Sequence, residues 1–135
     1  MRSSRARGTG LILDTNALSA IAEGQTGAAK QFAVASDAAI PVIVLGEYRF
    51  GIAQSRHRRQ YERWLKEFVS VARVLEVNEE TAIWYAEVRI QLKEAGTPIP
   101  SNDAWIAALC RQHALPILSQ DQHFDLIKGL RRLSW

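Results

Sequence analysis

The sequence predicts an α/β sandwich built around a mainly parallel sheet, and three observations predict it. Short apolar runs at 11–13, 39–45 and 115–118 have strand length and little in-out alternation, so they read as strands buried on both faces. Between them lie longer segments with helical spacing, such as Tyr61, Trp64, Leu65 and Phe68 at i, i+3, i+4 and i+7. Strands that alternate with helices are joined by crossovers, which makes their pairing parallel.

Taken in order, Leu11-Ile12-Leu13 is a buried strand followed at once by Asp14-Thr15-Asn16. Asn16 or Thr15 can cap a short helix over 17–23, punctuated by Gly24 and Gly27, and an alanine-rich helix follows over 28–36. The β-branched run 39–45 is a second strand, with Pro41 marking its start or a sheet edge. Helical sequence then runs from Gly46-Glu47 to the basic cluster Arg56-His57-Arg58-Arg59, and the Tyr61 stripe marks the next helix. A weaker strand signal spans 71–77. Asn78 can cap a helix whose stripe of Tyr85, Val88, Leu92 and Ala95 stops at Gly96. Thr97-Pro98-Ile99-Pro100 is a rigid loop, and Ser101 is the expected N-cap of a helix over 102–113 that is apolar nearly all round and therefore central. Strand 115–118 ends at Ser119-Gln120-Asp121, and 123–135 forms a short helix and an edge strand.

With 135 residues the chain fits one domain, expected over 11–135 after a loose basic tail at 1–10 that carries Arg2, Arg5 and Arg7. A hydrophobic content of 47% excludes a disordered protein. The net charge of +3 leans toward a polyanionic partner. The single cysteine, Cys110, excludes an internal disulfide and fits a reduced cytoplasmic setting; among Ile106, Ala107, Ala108 and Leu109 it reads as a buried thiol. No apolar run approaches the roughly 20 residues of a membrane span. The run after the basic tail is cut by Asp14 and Asn16, so no export signal is expected.

Four acids stand where chemistry is usually placed in such a fold. Asp14 ends the first strand and Asp121 follows the 115–118 strand; parallel strands end on one edge, so the two carboxylates can converge. Asp103 lies in the first turn of the 102–113 helix, and Glu47 opens the helix after the second strand. Each has an ordinary reading by itself, as a cap, a turn residue or a first-turn acid favoured by the helix dipole. Together, carboxylates at strand ends and helix starts suit a hard divalent cation such as Mg²⁺ or Mn²⁺, which takes oxygen ligands and offsets their mutual repulsion. His57 and His113 have no serine or cysteine partner motif, so a hydrolytic triad or a histidine-pair ribonuclease is not supported. Arg49, Arg56, Arg58, Arg59, Arg63 and Lys66 populate two neighbouring helices and offer a phosphate-contacting rim, while Tyr61 and Trp64 among them read as core aromatics.

These residues together resemble the PIN-domain nucleases, and among them the VapC-type toxins of toxin–antitoxin pairs. The resemblance rests on Leu11-Ile12-Leu13-Asp14-Thr15-Asn16, on Glu47 with Gly51, on Ile99-Pro100-Ser101-Asn102-Asp103-Ala104-Trp105-Ile106-Ala107-Ala108, and on Leu118-Ser119-Gln120-Asp121 with Phe124. It implies a three-layer α/β/α sandwich and an acidic site of Asp14, Glu47, Asp103 and Asp121 that holds Mg²⁺ or Mn²⁺. Asn16 and Ser119 would support that site by hydrogen bonding; Ser119 stands where family members often have Thr, which keeps the hydroxyl. Asp125 is a candidate to assist or replace Asp121. The implied activity is endoribonuclease cleavage by a metal-activated water attacking phosphorus in line, leaving a 5′-phosphate and a 3′-hydroxyl. The implied partners are an RNA substrate, a cognate antitoxin and a second copy of the chain. Two other readings compete with this one. An aspartate-based phosphatase would use Asp14 as nucleophile, but the haloacid-dehalogenase type wants a second Asp where this chain has Asn16. A catalytically silent module would bind RNA or protein through the basic helices, but it would not need all four acids.

Overall fold

A computed structural model describes residues 10–135, so the basic tail expected over 1–10 falls outside the described residues except for Gly10. Strand β1 (Gly10–Leu13) is buried along its whole length, as its unbroken apolar sequence requires. It pairs in parallel with β2 (Asp37–Pro41) through Leu11–Ala38 and Ile12–Ala39, and with β4 (Ile117–Leu118) through Ile12–Ile117 and Leu13–Leu118. β3 (Arg73–Leu75) lies outside β2, and β5 (Arg132–Leu133) outside β4, giving the order β3-β2-β1-β4-β5 with every pairing parallel. The chain thus builds outward from β1 to β3, then returns to the other side of β1 for β4 and β5. Its switch point lies between the carboxyl ends of β1 and β4, where open α/β sheets form their crevice.

The helices α1 (Thr15–Ala22), α2 (Thr26–Val34), α3 (Val42–Ala53), α4 (Arg58–Val71), α5 (Glu79–Glu94) and α6 (Ser101–His113) flank this sheet, completing the α/β/α architecture. As expected from its all-round apolar sequence, α6 is the central one, burying Ala104 and every residue from Ile106 to Cys110. Asn78 caps α5 in a capping box with Thr81, and the helix stops just before Gly96, which adopts φ +71°. The aromatics of α4 belong to the core: Trp64 stacks on Phe68 at 4.9 Å, and Phe32 meets Phe68 at 4.7 Å. Among the described residues no helix is long and apolar enough to cross a membrane.

Three local expectations are corrected. The run 39–45 is not one strand: β2 ends at Pro41, and Val42 begins α3. β1 is four residues long and offers no backbone partner beyond Leu13, so further extended residues would leave their N–H and C=O groups unpaired. Turning into a helix satisfies those groups locally, which outweighs the β-propensity of Val42, Ile43 and Val44. Secondly, α1 is capped by Asp14, not by Thr15 or Asn16. Thirdly, Ser101 is already helical and Pro100 occupies the cap position without a side-chain bond.

Candidate active site

Asp14 leaves β1 at the switch point, 5% exposed. Its Oδ1 accepts the Ala17 N–H at 2.8 Å, which fixes the carboxylate while capping α1. Across the sheet, Ser119 follows β4, fully buried. Its hydroxyl accepts the Asp121 N–H at 2.9 Å and also hydrogen-bonds the Asp14 carboxyl. One small hydroxyl therefore ties the two strand-end acids together.

Glu47 enters from the second turn of α3, one turn later than the sequence suggested, because the helix begins at Val42. Both of its oxygens are held: the Thr15 hydroxyl donates to Oε1 at 2.6 Å, and the Asn102 amide donates to Oε2 at 2.9 Å. Asp103 points in from the first turn of α6. Asp14, Thr15, Asn16, Glu47, Asp103, Ile106 and Asp121 line one cleft of about 260 Å³. All four predicted acids meet there, although they come from positions up to 107 residues apart (121 minus 14). A larger hollow of about 510 Å³ on α5, lined by Tyr85, Ile90, Leu92 and Ile99 among others, is mostly apolar and contains no cluster of acids, so size alone does not locate the chemistry.

The charges in the cleft strain one another. Burial pushes the Asp14 carboxyl above its ordinary range; bonds from Ser119 and Ala17 partly oppose this, and Asp103 and Asp121 push it further up. The Asp103 carboxyl is also raised, first by burial and then by Asp121 and Glu47, with the His123 ring opposing. Carboxyls held up by burial and by like charges are a donor set short of positive charge. All-oxygen donors at this density fit a divalent cation such as Mg²⁺ or Mn²⁺.

Two expectations about stability follow in the absence of added cation. A carboxyl raised by folding contributes stability below its unfolded value, and that contribution is lost as pH rises through the folded value. Asp103→Asn should therefore gain on wild type as pH climbs from about 4 to neutrality. Thermal melts of the two proteins across that range check this; a constant gap would show that Asp103 is not strained. At Asp14, Asn keeps an acceptor for the Ala17 N–H while Ala does not, so Asp14→Ala should be about 1 kcal/mol less stable than Asp14→Asn. Urea titration of the pair measures it, and equal midpoints would remove the cap from the account.

Asn16 joins the cleft from an exposed position at its margin, whereas other predicted residues lie outside it. Asp125 does not stand in for Asp121: its two oxygens are engaged by Arg132 Nε and Nη2, each at 2.9 Å. Arg49 is exposed on α3, the same helix as Glu47. Arg56, Arg58 and Arg59 line a separate concavity with His57, Gln60 and Arg63, and Arg58 is paired with Glu62 at 2.9 Å. Cys110 is a buried thiol, as expected, with its pKa pushed far up by burial.

Three contributors escaped the sequence reading. Thr15 and Asn102 hold Glu47, and each stands directly beside a site acid in the chain, which was the available signal. His123, two residues past Asp121, places Nδ1 3.4 Å from Asp103 Oδ2 and 3.2 Å from Asp121 Oδ1. It carried no signal without the fold, because its other neighbour is 20 residues away.

With this geometry in place, comparison with known proteins gives consistent results. The family model described as the PIN domain matches residues 11–130. Ribonuclease VapC5 of Mycobacterium tuberculosis is 31% identical over 120 residues, covering 87% of this chain and 87% of that protein. The crystal structure of VapBC2 from Rickettsia felis, bound to a DNA fragment from its promoter, superimposes with a TM-score of 0.86 at 22% identity, covering 93% of this chain and 98% of that one. DNA-bound VapBC from Salmonella typhimurium gives 0.84 at 26% identity with the same coverage. A match over nearly the whole described chain, on a sheet whose switch point gathers the acids expected from the motifs, has one meaning: the chain belongs to the PIN-domain family and groups there with the VapC proteins.

Proposed function

We propose that the protein is a divalent-cation-dependent endoribonuclease and the toxin of a toxin–antitoxin pair. The observation that carries this reading is the convergence of Asp14, Glu47, Asp103 and Asp121 on one cleft at the sheet's switch point. Relatives named as ribonucleases and as VapBC complexes support it. Asp14, Asp103 and Asp121 would hold Mg²⁺ or Mn²⁺. A cation bound there supplies positive charge to a phosphoryl oxygen and acidifies a water.

The remaining work falls to the protein's own groups. Glu47, with both oxygens restrained by Thr15 and Asn102, orients the attacking water opposite the leaving 3′-oxygen. In-line attack at phosphorus then leaves a 5′-phosphate and a 3′-hydroxyl. Ser119 keeps Asp14 and Asp121 at a fixed spacing, and Asn16 borders the opening. Among the described residues Arg49, Arg56 and Arg59 form no salt bridge with a carboxylate, and they provide phosphate contacts along the RNA, with Arg58 contributing once released from Glu62. The inhibitory partner is a cognate antitoxin that covers the cleft, and the working form is a homodimer.

Cleavage of total cellular RNA by antitoxin-free protein tests this directly. Discrete fragments with 5′-phosphate ends, formed with Mg²⁺ or Mn²⁺ and lost with chelator, are expected. Cleavage that survives chelation, or fragments ending in cyclic phosphates, would overturn the mechanism.

A further inference from the structure

We propose that His123 is a nitrogen ligand of the cation in this cleft and biases the site toward Mn²⁺ over Mg²⁺. This rests on the reading of the cleft as a cation site and adds a residue to it.

The placement is local and built. His123 lies in a short 3₁₀ turn (Gln122–Leu126) that is seated by Phe124, a fully buried ring one residue away. Its backbone N–H is tied to Asp121 Oδ1 at 2.9 Å, which fixes where the side chain leaves the turn. From there Nδ1 reaches 3.2 Å from Asp121 Oδ1 and 3.4 Å from Asp103 Oδ2. One ligand atom from each of Asp103, Asp121 and His123 lies within 4.8 Å of the others. Adjacent donors on an octahedral ion with bonds of about 2.1 Å stand about 3 Å apart, so these spacings suit neighbouring coordination positions. Without the ion, the ring donates a hydrogen bond toward the acids. With it, Nδ1 presents its lone pair and the half-exposed ring keeps its proton on Nε2.

The selectivity follows from ligand chemistry. Mg²⁺ is hard, demands near-ideal oxygen coordination and gives up water reluctantly. Mn²⁺ accepts an imidazole nitrogen in an otherwise oxygen site more readily. An acid-only cleft would discriminate little between the two; a cleft with His123 in it should favour Mn²⁺.

Pulsed electron paramagnetic resonance of the full chain loaded with Mn²⁺ reads the bond itself, and calorimetry reads the two affinities. Wild type should show nitrogen hyperfine coupling to Mn²⁺, and His57→Gln should keep it. His123→Gln should lose the coupling and bind Mn²⁺ on the order of tenfold more weakly, with Mg²⁺ affinity nearly unchanged. His123→Asp restores an oxygen ligand, so it should bind Mn²⁺ without coupling and narrow the preference over Mg²⁺. Mn²⁺ bound to wild type without nitrogen coupling, or an equal loss for both ions in His123→Gln, would overturn the role of His123 and leave the acidic site standing. Failure of wild type to bind either ion would overturn the cation reading and this inference with it.

Discussion

Asp103→Asn is expected to lower RNA cleavage by at least about a hundredfold while the protein stays folded. The loss follows because a carboxylate that meets the cation contributes several kcal/mol to stabilising charge at phosphorus, and each 1.4 kcal/mol or so is tenfold in rate. The fold should survive for reasons visible at the site. Asp103 sits in the first turn of α6, where its favourable interaction with the helix dipole is worth about 0.3–1 kcal/mol. Against that stands the burial of its charge beside Asp121 and Glu47, which holds its carboxyl above the ordinary range and which Asn removes. The two effects oppose each other, so the folded state should change by less than about 1 kcal/mol. Cleavage rates and thermal melts on the same preparation separate the effects. Wild-type cleavage by the variant would remove Asp103 from the site; a collapsed melting curve would mean the residue is structural.

Phe124→Ala should have the largest effect on stability, about 3–5 kcal/mol. Among the described residues Phe124 is the largest fully buried side chain. Truncating it leaves a cavity in the core beneath the 3₁₀ turn, and a close-packed core relaxes only partly to fill it. Against a total stability of about 5–15 kcal/mol for a typical domain, that is a substantial share. Phe50→Ala is the matched control: Phe50 is 73% exposed, and its loss should cost less than about 0.5 kcal/mol. The larger variant also reports on function. The turn that Phe124 seats carries His123, and Asp121 caps it, so cation affinity should fall even under conditions where the variant remains folded. Urea titrations of the two variants decide the packing claim, and a Phe124→Ala cost below about 1 kcal/mol would refute it.

Some of this molecule is written in its local sequence. Leu11-Ile12-Leu13 is buried on both faces because nothing in it can face water, and Asp14 ends it by capping the helix that follows. The stretch from Asn102 to His113 is the central helix because it is apolar nearly all round. Asn78 and Gly96 bound α5 through local hydrogen bonding and a left-handed backbone. The acids were legible as a set because strand ends and helix starts converge in a parallel sheet.

Other features only the assembled chain decided. Val42-Ile43-Val44-Leu45 has the composition of a strand, yet β1 supplies no partner for it, so it became the first turn of α3. That shift moved Glu47 into a second turn and set which groups could reach it. Its two oxygens are claimed by Thr15 and Asn102, 32 and 55 residues away. Asp125, the sequence's candidate to assist or replace Asp121, is drawn off by Arg132. His123 gained its place only when α6 brought Asp103 against the turn after β4. Local sequence fixes what each segment can satisfy by itself, whereas hydrogen bonds and charge pairs between distant segments depend on which surfaces the sheet order brings together.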